Sequence, residues 1–209
     1  MIRHIAAFAV VGGSLVLAAV ATGQDFAGSL ESTDLGERLA AQQAIRTGRR
    51  DMIHELMRLA AAKTAPDPTR GVEYGLPLYP ELEPKHLAIE LLGELRAGEA
   101  VRVLFGNLRY CNPRVRTFEL LTWQHDFPAA VSLMKIGQEA LPPAMARLAR
   151  SEEQLERRLC LWIVKTVLGP DLARAALRIE ADKEKDPAWK ANLEAAIAMM
   201  DTPDWERPE

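Results

Sequence analysis

Histidine and cysteine are scarce here, four and two among 209 residues, and the shortage narrows the chemistry the chain can carry. No H-E-x-x-H and no C-x-x-C spacing occurs, so the common short zinc frameworks lack their ligands. Asp51 and His54 stand three apart on a predicted helix, but two ligands leave a metal site incomplete. A solvated polar face opposite Ile53 and Met57 is the plainer reading of that pair. His125 precedes Asp126 in a predicted turn, where the acid is read as a helix cap. There is no G-x-S-x-G elbow, no glycine-rich loop after a strand, and no histidine placed by motif beside Cys111 or Cys160. The sequence therefore nominates no catalytic residue, no metal and no cofactor.

An excess of positive charge is also missing. The formal balance is −3, and without the first 21 residues, whose one charged side chain is Arg3, it becomes −4. Nucleic acid, which selects clustered Lys and Arg, is not an expected partner. Runs of strict apolar alternation and β-branched runs bounded by turns are absent as well, so strands are not expected. The two cysteines are read either as a disulfide or as two small buried apolar residues, and both readings stay open.

What the sequence does contain begins at its first residues. Arg3 and His4 precede an apolar run from Ile5 to Ala21 that ends on Ala19 and Ala21, the layout of a secretory signal peptide over 1–21. The rival is an uncleaved single N-terminal anchor, because about 17 apolar residues lie at the lower limit for crossing a bilayer. A periplasmic or secreted protein is expected, with 22–33 as a short linker, a helical domain over 34–200 and an acidic tail over 201–209.

Through that domain one apolar template, i, i+3, i+4 and i+7 on a single helical face, keeps returning. It appears at Ile53, Leu56, Met57, Ala60; at Val101, Leu104, Phe105, Leu108; at Leu141, Ala144, Met145, Leu148; and at Leu172, Ala175, Ala176, Ile179. A glycine stands shortly before each: Gly48, Gly98, Gly137 and Gly169. Glycine ends a helix in a left-handed turn without steric cost, and a second helical stretch lies upstream of each, Asp34 to Thr47, Lys85 to Arg96, Pro128 to Ile136 and Glu152 to Leu168. Four units of helix, glycine turn and helix result, at intervals of 48, 40 and 31 residues between first template positions. Ser151 with Gln154 reads as a capping box, and Asp186 before Pro187 as the start of a last helix to Met200. The expected fold is all-α: a short, irregular α-solenoid of about four helix pairs with a C-terminal capping helix.

Ala130, Leu133, Met134, Ile136, Gly137, Ala140, Leu141, Pro142 and Leu148 resemble one unit of the HEAT-like repeat family, including the variant first noted in phycobilisome lyases. Ala88, Leu91, Leu92, Gly98, Ala100, Val101 and Leu104 resemble a second copy, and the likeness spans about Lys85 to Lys185. Pro113 to Trp123 reads as an extra helix before the third pair. The resemblance implies a curved stack of helix pairs that binds a protein partner. It also implies that second helices line the concave surface, which singles out Arg58, Arg102, Asn107, Arg147 and Arg150. Two connections add to these. Thr64 to Pro84 holds five prolines with Tyr74 and Tyr79, and is either a recognition loop or a strap over apolar surface. Thr122 to Phe127, with Trp123, is read in the same two ways. The function these observations favour is a non-catalytic extracytoplasmic interaction scaffold. A lyase-like or other small-ligand-handling enzyme on the same helices is the alternative.

Overall fold

A computed structural model describes residues 26–32, 34–47, 52–62, 72–73, 76–77, 84–110 and 127–202. The first 21 residues, Gly48, Asp51, Tyr74, Tyr79, Cys111, the segment Pro113 to Trp123, His125 and residues 203–209 lie outside the described residues, and with them the expectations placed there.

The described chain is all-α. Ten helices follow one another: α1 (Phe26–Glu31), α2 (Leu35–Arg46), α3 (Ile53–Ala61), α4 (Pro84–Glu94), α5 (Val101–Gly106), α6 (Pro128–Ile136), α7 (Leu141–Arg150), α8 (Gln154–Leu168), α9 (Pro170–Lys183) and α10 (Pro187–Met199). Two short strands, β1 (Val72–Glu73) and β2 (Leu76–Pro77), pair antiparallel with Val72 opposite Pro77. Strands were not expected, and this ladder is too short to leave a periodic signal in the sequence. The stretch 22–33, expected as a linker, contains α1, whose Leu30 is fully buried.

Local signals explain most boundaries. Asp34 caps α2 by accepting from the Glu37 amide, and Asp186 caps α10 by accepting from Ala188 and Trp189. Pro142, Pro170 and Pro187 occupy first turns, where a missing N–H costs nothing. Gly137 and Gly169 take φ of +86° and +80° and do turn the chain between helices. Gly98 does not. The left-handed residue there is Arg96, φ +49°, and Gly98 opens a short 3-10 turn, Gly98–Ala100. The absent side chain at Gly98 leaves room for the Glu139 carboxylate instead. Ser151 is not part of a capping box with Gln154. The residue before α8 is Glu153, whose amide donates to Ser151 Oγ at 3.2 Å while that hydroxyl donates to Glu156 Oε2 at 2.8 Å.

Packing follows a pattern the repeat spacing does not reveal. The first helices of successive units form one row, α2 on α4, α4 on α6 and α6 on α8. The α4–α6 seam is the most extensive. Its helices close up because Gly93 has no side chain: a Cβ there would lie 2.6 Å from Ser132 Cα. Buried Ser132 donates across the seam to the Ile89 carbonyl at 2.8 Å. Arg46 of α2 reaches Glu94 of α4 at 2.7 Å. The second row begins with α3 on α5 and then breaks. α7 and α9 make at most marginal contact, and α10 packs against both. Three templates point inward, with Leu56, Leu104 and Leu148 fully buried. The fourth does not: α9 buries Ala173, Leu177 and Ala181, while Leu172 is 65% and Ile179 53% exposed.

Candidate functional site

The gap between α7 and α9 forms a groove of about 560 Å³. α7 builds one wall. Ala144 and Leu148 are buried in the core, Leu141 and Met145 at the edge of that face are half-buried and line the gap, and exposed Ala146 joins them, with Arg150 at the end of the helix. α9 builds the other wall from Ala176, Ile179 and Glu180, continued by Glu184. Leu168, at the end of α8, and Leu193 of α10 complete the lining. Apolar side chains dominate, and the charges gather at one end.

α10 packs against both walls of this gap and places Leu193 in it. Asn192 Nδ2 donates to the Ala149 carbonyl at 2.7 Å, supplying a partner for a carbonyl in the last turn of α7. The Arg150 guanidinium lies over the Trp189 ring, 4.6 Å from its centroid. At the other end of α10, Arg174 makes a two-pronged pair with Asp201, at 2.9 and 2.7 Å. These hydrogen bonds hold the Arg174 guanidinium above its ordinary value and the Asp201 carboxyl below its own.

A second recess of about 290 Å³ shares Ala146 and Arg150 with the groove and adds Arg147, Ser151 and Glu156. Arg147 pairs with Glu156 and also lies over the Phe105 ring at 5.3 Å. Its charge is therefore matched within the chain, whereas Arg150, exposed at the junction of the two recesses, meets an aromatic face rather than a carboxylate.

Of the residues singled out from sequence, Arg147 and Arg150 are brought together at this site. Arg102 is exposed on α5 and lines neither recess. Asn107 turns back on its own helix, its Nδ2 donating to the Val103 carbonyl at 2.9 Å. Arg58 bonds Glu55 one turn earlier at 2.6 Å. The apolar lining, Met145, Ile179 and Leu193 above all, was not singled out. Its signal was present in α9, which carries more apolar positions than one buried face can use.

The groups that would support chemistry lie elsewhere. His86 is buried, its Nε2 3.5 Å from Glu90 Oε1, and neither residue lines the groove. His54 is exposed. Cys160 is a buried free thiol, and burial, with the Glu156 charge adding to it, pushes its ionisation well above the usual thiol range. Lys85 donates to the Ala62 carbonyl at 2.8 Å and lies over the Tyr110 ring, and burial lowers its pKa. Among the described residues no cluster of three metal-ligating side chains occurs, and no helix is long and apolar enough to cross a membrane. No family model, no curated protein and no solved structure matches the chain.

Proposed function

We propose that this chain is a protein-interaction scaffold built on helix pairs, and that the groove between α7 and α9 takes an apolar, amphipathic helical segment of a protein partner. The observation that carries the reading is the groove itself. Two helices that would ordinarily pack side by side stand apart, leaving Met145 and Ile179 to face an open, apolar trough with Arg150, Glu180 and Glu184 at one end. A groove between helices suits a helix that presents apolar residues three and four apart, with polar groups at the rim fixing its register. The row formed by α2, α4, α6 and α8 supports a HEAT-like, solenoid arrangement, and the signal-like first 21 residues support action outside the cytoplasm on a partner that is not nucleic acid.

The test is to fill the groove. Ala146 is exposed on the α7 wall, so Ala146→Trp should leave folding intact while abolishing capture of whatever the wild-type chain retains from its own envelope. Equal capture by the variant would overturn the proposal. A groove of this volume also lies within the range of small-molecule sites, which favours a small apolar ligand as the second reading. Native mass spectrometry separates the two, since a bound small molecule adds one constant mass. Sequencing the mature protein tests export, with a start expected near Thr22 or Gln24.

A further inference from the structure

We infer that the recess at the end of the groove is a carboxylate subsite, in which Arg150 takes an acidic side chain of the helical segment seated between α7 and α9. This rests on the groove reading above and adds a charge that its partner must carry. Five charged side chains line the groove and the recess beside it: Glu180 and Glu184 on one wall, Arg150 at the junction, and Arg147 and Glu156 beyond. Four of them are answered within the chain. Lys183 pairs with Glu180 at 3.2 Å. Glu184 turns its Oε1 back on its own backbone, accepting from the amides of Lys185 at 2.8 Å and Asp186 at 3.0 Å. Arg147 pairs with Glu156, which also accepts from Ser151 Oγ at 2.8 Å. Among the described residues, Arg150 alone of the five meets no charged or hydrogen-bonding partner, so the charge left for a ligand to match is positive.

Arg150 is also held ready for a carboxylate. It ends α7 and is exposed where the two recesses meet. The Trp189 ring lies against its guanidinium, 4.6 Å from centroid to carbon. A ring takes the face of a guanidinium and leaves the N–H donors of its edge free, and that edge matches a carboxylate through two parallel hydrogen bonds. Trp189 is itself fixed in the first turn of α10, where its amide donates to Asp186 Oδ1 at 3.2 Å. Asn192, one turn on, ties the same helix to the Ala149 carbonyl at 2.7 Å. Trp189 is therefore a positioning residue: it restricts a long side chain before binding, so less freedom is lost on binding. The length of the groove sets where the partner's acid falls. Leu141 and Arg150 stand nine residues apart on the α7 wall, about 13 Å at about 1.5 Å per residue. A partner helix that covers this length with apolar residues at i, i+3, i+4 and i+7 meets Arg150 with an acid one turn beyond that stripe.

The probe is a displayed library of helical peptides with leucine at i, i+3, i+4 and i+7 and random residues one turn before and one turn after. The full chain should enrich Asp or Glu at one of the two random positions. In fluorescence anisotropy the enriched peptide should bind about threefold or more tighter than its copy with the acid replaced by the amide. Arg150→Gln should bring that ratio to about one, and Arg150→Glu should turn the preference to Lys or Arg. Trp189→Ala should narrow the ratio and Trp189→Phe restore it, a pattern that a merely structural role would not give. Helicity by circular dichroism checks that each variant folds. Leucine peptides held without regard to charge would overturn the inference and leave the groove reading standing. So would enrichment of Lys or Arg by the wild-type chain, or a ratio that Arg150→Gln does not change. Ala146→Trp, which fills the groove, should release acid and amide peptides alike. If that variant still holds them, or if the wild-type chain enriches no member of the library, the groove reading falls and this inference with it.

Discussion

The α4–α6 seam joins the first helices of two successive helix pairs and the α7–α9 seam joins the second helices of the next two, and one is closed while the other stands open. Both offer small residues. In the first, Gly93 lets the α6 backbone come within reach of α4, and Ser132 ties the two across the seam to the Ile89 carbonyl. In the second, Ala146 and Ala176 would permit a similar approach, yet α10 lies against both helices and holds them apart. Small side chains make a close seam possible; whether it closes depends on what else is packed there. The closed seam yields a core, and the open one yields the site.

The largest expected effect sharpens this contrast. Gly93→Leu drives a side chain into Ser132, where the backbone itself is the obstacle, and should cost about 3 kcal/mol in chemical denaturation. Ala146→Leu puts a similar bulk into the open seam and should change stability by less than about 0.5 kcal/mol. Comparable costs for the two would mean that the second seam closes in solution and that the groove is not a standing feature. The next effect is smaller. Ser132→Ala removes the cross-seam hydrogen bond and should cost about 1 kcal/mol, with no effect on the groove.

How much of this was legible in the sequence depends on whether the signal was local. Helices α2, α4, α6, α8 and α10 begin and end within about two residues of where periodicity and caps place them, because Asp34, Asp186, Gly137 and Gly169 act on their own backbone neighbours. α9 buries a different face from the one its template predicts, for a physical reason. Leu172, Ala175, Ala176 and Ile179 satisfy the i, i+3, i+4, i+7 template, but Ala173, Leu177 and Ala181 also form a stripe, and only contact with α8 and α10 decides which is buried. Gly98 has the sequence context of a turn glycine because turn and close approach leave the same letter. Arg147 could be singled out as polar, but its engagement by Glu156, nine residues on, depends on how α7 meets α8. Beyond the surplus apolar positions of α9, the groove has no sequence signal, since its third side is a separate helix, α10, packed against both walls.

A weaker perturbation asks whether α10 is what keeps the seam open. Asn192→Ala removes the bond to the Ala149 carbonyl and should cost about 0.5–1 kcal/mol. Its sharper readout is hydrogen exchange. Amides of α10 should exchange faster in the variant while those of α4 and α6 keep their protection, because the lost contact lies outside that seam. Uniform acceleration across all three helices would show that the two seams open as one unit.

The smallest effect concerns the far end of α10 and depends on pH. The hydrogen bond from Arg174, reinforced by its charge and that of Arg178, holds the folded Asp201 carboxyl below its ordinary value of 3.8. The unfolded chain therefore binds the more protons in acid, and stability contributed by this pair increases with pH there. The contribution is complete above about pH 3.8 and is lost as the pH falls through the lower, folded value. In an NMR titration, Asp201 and the amides of the last turn of α10 should move together below pH 3.8, while Ser132 and its neighbours in the closed seam should not respond in step. Asp201→Asn should abolish that shared transition. If the variant keeps it, another acid governs the end of α10, and the Arg174 pair does not contribute to holding the helix that parts α7 from α9.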